Sequence, residues 1–158
     1  MASNPAAPAA AFLIANFFLS YFFLTPRGYR MLLGLATNRN PRQDMANFSE
    51  KMVAEGRITR EQVDRLGRWE AAQQNAVENF PLFVAAILFA LIGNQNTTTI
   101  VGFGIGYTMA RIFYGIAYIM TDNEMWSYAR SILWWAGNVL CFWVIIAGAK
   151  GAGELRRA

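Results

Sequence analysis

Four apolar blocks, at roughly residues 6–24, 80–93, 98–120 and 131–149, leave this chain few ways to fold. Over 158 residues it is 55% hydrophobic and 15% charged, with a positive mean hydropathy. That is too little charged surface for a soluble domain of this length. The expected class is all-α, an integral membrane four-helix bundle over a single domain, residues 1–158. The spans fall at about 10–25, 66–93, 98–120 and 126–149. No cationic stretch precedes the first block and no convincing cleavage site follows it, so Ala10 to Leu24 reads as a retained span. Asn16 lies inside that span and is expected to face another helix.

Between the first two spans lies a polar loop, about 26–65. Together with Arg68 at its edge it carries nine of the fourteen Lys and Arg residues. The positive-inside rule puts this loop in the cytosol. Lys150, Arg156 and Arg157 in the tail count against that orientation, but the longer and more basic loop outweighs them. Two sequons, at Asn47 and Asn96, offer a topology check: a glycan on Asn47 would overturn the orientation. Thr59-Arg-Glu-Gln62 has the pattern of a capping box opening the next helix. The net charge of +4 sits mostly in this loop and not in a patch interleaved with aromatics. It reads as a topology signal, with no nucleic acid as partner.

Histidine is absent and Cys141 is the single cysteine. A thiolate or imidazole metal site is therefore not expected, and neither is an intrachain disulfide. Acid–base chemistry has to come from Arg, Tyr, Glu, Asp, Lys or a bound molecule.

The second span carries Asn75 and Glu78 into an apolar run, where polar side chains are costly and are functional suspects. Pro81, just beyond them, removes one helical hydrogen bond, so a bend is expected. Tyr107, Arg111, Tyr114 and Tyr118 step by four, three and four along the third span, which is one stripe of a helix. Arg130, Trp134 and Asn138 make a stripe on the fourth. At 1.5 Å per residue, Glu78, Asn75, Arg111, Tyr114, Tyr118 and Arg130 lie about 20–30 Å from the lumenal ends of their helices. In a core about 30 Å thick they gather in its cytosolic half. A shared polar pocket explains that depth better than a register-fixing pair with interfacial tyrosines, and its cationic character suits an anionic ligand. Glu78 with Arg111 is the expected ion pair. Trp134, Trp135 and Trp143 read as packing or belt residues, and Gly102, Gly104 and Gly106 as a close helix contact.

At these residues the chain resembles the MAPEG family, the membrane-associated proteins of eicosanoid and glutathione metabolism. The resemblance rests on Asn75-x-x-Glu78-Asn-Phe-Pro-Leu-Phe83, Ala110-Arg111-x-x-Tyr114-x-x-x-Tyr118 and Arg130-Ser131, and spans about residues 66–149. It implies a homotrimer in the endoplasmic reticulum membrane, with glutathione as cofactor between subunits near the cytosolic face. It further implies that Asn75, Glu78, Arg111, Tyr114 and Tyr118 hold glutathione, Glu78 by its amine. Arg130 would stabilise the thiolate, with Ser131 beside it, for attack on a lipophilic substrate arriving from membrane lipid. The family usually has arginine four residues before the asparagine, where this chain has Ala71, and Gln74 fills another position that is often basic. Arg68, Arg27 or Arg30 would have to supply the missing cation. That departure keeps open a thiol-independent isomerase or cyclase on the same scaffold, or a non-catalytic membrane protein. A transporter would show repeat symmetry and a site nearer the midplane, and neither is evident.

Overall fold

The computed structural model describes residues 4–35, 44–121 and 124–157, with backbone alone for 44–48 and 124–127. Arg39, Arg42, the Asn47 side chain and residues 122–123 lie outside the described residues. α1 (Ala6–Phe18) continues as a π-helical turn, Leu19–Phe23, and is followed by α2 (Arg27–Leu32), α3 (Asp44–Ala54), α4 (Arg60–Ile92), α5 (Thr97–Met120) and α6 (Glu124–Leu155). Among the described residues every regular element is helical. Four segments are long and apolar enough to cross a membrane: Ala6–Leu32, Arg60–Ile92, Thr97–Met120 and Tyr128–Leu155.

The four long helices form one bundle, with α6 against α4 and α5, and α1 against α5 and α4. On α4 the core positions Phe83, Ala86, Ile87 and Ala90 recur at helical spacing and are fully buried. Phe83 stacks on Phe103 and Tyr107 of α5, at 5.4 and 4.3 Å between ring centres. Because lipid is as apolar as these side chains, shape and interhelical hydrogen bonds hold the bundle together. Asn16, 1% exposed, illustrates the second. Its amide donates to the Thr108 hydroxyl at 2.9 Å and to the Phe12 carbonyl at 3.0 Å, pinning α1 to α5. α4 runs through Pro81 without interruption, and the Tyr107 hydroxyl donates to the Asn79 carbonyl at 3.3 Å.

The described part of the polar segment between the first two spans folds into helices of its own. Leu35, Met52, Ile58, Val63 and Leu66 bury one another in a second small core, with Tyr29 and Leu33 against it. Trp69 donates its indole N–H to the Leu24 carbonyl at 2.9 Å and stacks on Tyr29. Arg60 forks onto the Glu50 carboxylate at 2.5 and 2.7 Å, which holds that carboxyl below its usual range. The helix that the capping box opens and the second span, expected from about Leu66, are one continuous helix beginning at Arg60. Thr59 caps it as its spacing foretells: the hydroxyl accepts from the Gln62 N–H at 3.2 Å while the Gln62 amide accepts from the Thr59 N–H at 2.8 Å. Thr59→Ala is expected to cost about 1 kcal/mol. Faster amide exchange confined to the first turn of α4 would show it.

Candidate functional site

A cleft of about 310 Å³ opens where α4, α5 and α6 meet. Asn75 comes from α4, Tyr114 and Tyr118 from α5, and Arg130, Ser131, Trp134 and Trp135 from α6. Helical spacing explains the assembly: Tyr114 and Tyr118 are one turn apart, as are Arg130 and Trp134. The Arg130 guanidinium lies over the Tyr118 ring at 4.3 Å. That cation–π contact fixes a long side chain at the mouth of the site. Among the described residues the lining holds one guanidinium, hydroxyls, an amide and indoles, and no carboxylate.

Arg111 lies behind the cleft at 3% exposure and is not part of its wall. Its two terminal nitrogens donate to Oδ1 of Asn75 at 3.2 Å and to Oδ1 of Asn138 at 3.3 Å. The Tyr107 and Tyr114 rings flank it, 5.1 and 5.9 Å from the guanidinium carbon. The expected Glu78–Arg111 pair is thus replaced by amide oxygens. The reason is the rotation of α4: it turns Asn75 inward and leaves Glu78 exposed, accepting from the Gln74 amide at 2.9 Å.

Five of the eight sequence candidates, namely Asn75, Tyr114, Tyr118, Arg130 and Ser131, therefore share one wall. Arg111 backs that wall. Glu78 and Arg68 line neither this cleft nor the next, and Arg68 Nε is buried without a hydrogen-bond partner. Trp134 and Trp135, read from sequence as packing or belt residues, line the site. A second cleft, about 580 Å³, lies between α4 and the segment formed by the π-helical turn and α2, and is lined by Tyr21, Arg30, Glu70, Gln73, Gln74 and Val77. There Arg30 is ion-paired with Glu70, a partnership sequence reasoning missed. The only prior signal was a lone acidic residue amid polar neighbours in α4.

The model of the MAPEG family matches residues 5–150. The chain belongs to the MAPEG family. Members are membrane enzymes of the glutathione-related transferase and isomerase type, and the four apolar helices make this one an integral membrane protein. The chain matches neither a curated protein nor a solved structure. In this MAPEG protein the match takes in the whole of α4 and α5 and both clefts, so every candidate residue lies inside the family region.

Proposed function

We propose that this protein is a glutathione-dependent membrane transferase or peroxidase acting on a lipophilic electrophile. The observation that carries the reading is the placement of Arg130, with Ser131, Tyr114, Tyr118 and Asn75, in one cleft. Bound there, glutathione would supply a thiolate as nucleophile. Arg130 lowers the pKa of a thiol beside it by favouring the anion, so no base is required. The Ser131, Tyr114 and Tyr118 hydroxyls and the Asn75 amide are the neutral donors that hold the ligand. We further propose a homotrimer in the endoplasmic reticulum membrane with the cleft toward the cytosol. Exposed Glu78 and Gln74 would then face a neighbouring subunit. Trp135, 55% exposed, lies where a substrate dissolved in lipid would arrive.

One observation favours a second reading. Arg30, which could replace the family's missing arginine at Ala71, is neutralised by Glu70. A cleft without a carboxylate clamp suits a thiol-independent isomerase of a hydrophobic metabolite, with Arg130 and a tyrosine as acid or electrophile. Thermal unfolding in detergent separates the two. Reduced glutathione at a hundred times its Kd stabilises a binding protein by about 2.7 kcal/mol, so Tm is expected to climb through the millimolar range. A flat Tm, with turnover of a lipophilic substrate in thiol-free buffer, would favour the second reading.

A further inference from the structure

We infer that Arg111 is a positioning residue that acts through Asn75, setting which end of the Asn75 amide faces the cleft. A guanidinium has donors and no acceptor. The group it touches on Asn75 must therefore be the oxygen, which fixes an orientation that is otherwise a free choice for an amide. The same oxygen also accepts from Asn79 Nδ2 at 3.3 Å, and Asn79 is itself tied to the Asn75 carbonyl at 3.0 Å. With Oδ1 occupied from two sides, Asn75 presents its amino group to the cleft that it lines.

Arg111 is held in turn. Asn138 takes its second nitrogen, the two tyrosine rings flank it, and the absent side chain of Gly137 leaves it room. A Cβ on Gly137 would come within 3.3 Å of the guanidinium. Nothing in this arrangement requires Arg111 to touch a ligand. Its consequence is a selectivity: the cleft offers an N–H at Asn75 and so takes a carbonyl or carboxylate oxygen there, and rejects a donor. The geometry stands by itself; that the acceptor belongs to glutathione rests on the proposed function.

The test is a Kd for reduced glutathione by thiolate difference titration on the purified full chain. Asn75→Asp keeps an oxygen for Arg111 but cannot donate to the ligand, so binding is expected to weaken at least tenfold while Tm is held or raised. Arg111→Met leaves the Asn75 oxygen held by the 3.3 Å contact from Asn79 alone, so the amide flips more readily, and should cost about tenfold, with most of that loss recovered in Arg111→Lys. In an Asn75→Ala background Arg111→Met should cost nothing further. Equal losses in both backgrounds, or an Asn75→Asp protein that binds within twofold of wild type, would overturn the positioning role. If wild type binds no glutathione at millimolar concentration, the proposed function fails and the positioning role is judged without ligand. In protein labelled with ¹⁵N-asparagine, the Asn75 side-chain resonance must then move in Arg111→Met and stay near its wild-type position in Arg111→Lys. An unmoved resonance refutes it.

Discussion

Arg130→Ala is expected to abolish the glutathione thiolate band near neutral pH and to lower conjugation by about a hundredfold or more, the scale for losing one preorganised charge donor. The sign of its pH dependence follows from the cation. If glutathione binds as proposed, Arg130, held over Tyr118, favours the anionic thiol, so wild type should hold thiolate at pH values where free thiol predominates. Without the guanidinium, the thiol returns toward its ordinary pKa, about 8.5 for a cysteine. The variant's band and rate should therefore rise with pH through that range while those of wild type are already flat. Arg130→Lys keeps a charge but loses the planar group that lies on the ring, and should fall between the two. A band unchanged in Arg130→Ala would remove this residue from thiol activation. The candidate cation would then have to come from elsewhere on the protein.

What was legible in the sequence here is what helical periodicity controls. The stripe through Tyr107, Arg111, Tyr114 and Tyr118 needs no knowledge of neighbours, because residues three and four apart share a face in any helix. The common level of these residues along their helices was legible for the same reason, since rise per residue is constant. The rotation of one helix against another was not. Pairing Glu78 with Arg111 was sound charge logic at a shared level of the bundle, but Asn75 is only three positions away on α4. The packing of α4 against α5 and α6 chooses the amide over the acid. The small core in the segment between the first two spans was missed for a different reason. Leu35, Met52, Ile58 and Val63 are too widely spaced to form a run, yet they bury one another once α3 folds back toward α4. The Thr59 capping box, a purely local pattern, was read correctly from four residues.

The glycines make the same point. Of the run at 102, 104 and 106, Gly104 meets the Phe12 ring and Gly106 has Leu140 at 3.2 Å, while Gly102 faces open space. The backbone seam lies elsewhere. A Cβ on Gly93 would strike the backbone of Gly148, one on Gly148 the Phe89 carbonyl, and one on Gly151 the Gly93 carbonyl. These residues lie in distant parts of the chain, so no local spacing reveals them. The seam clamps the C-terminal end of α4 to α6, and Gln95 adds a donor to the Ala147 carbonyl at 3.1 Å.

Gly148→Leu should therefore be the most damaging single substitution at the seam. Overpacking an ordinary core costs about 1–3 kcal/mol. Here the obstruction is main chain, which has no rotamer to yield, so a loss of about 3 kcal/mol or more is expected. Folded yield and Tm in detergent would report it, against Gly102→Ala as a control that meets nothing within 4 Å. The effect should also reach the site. Arg130 lies eighteen residues before Gly148 on α6, about 27 Å at helical rise, and Asn75 lies a similar distance from Gly93 on α4. Two helices forced apart at one end splay about their remaining contacts, so Asn75 and Arg130 lose their common wall. In membranes, where folded protein can be selected, Gly148→Leu should weaken glutathione binding although it touches no cleft residue. A variant with wild-type Tm would show that the seam does not hold α4 against α6.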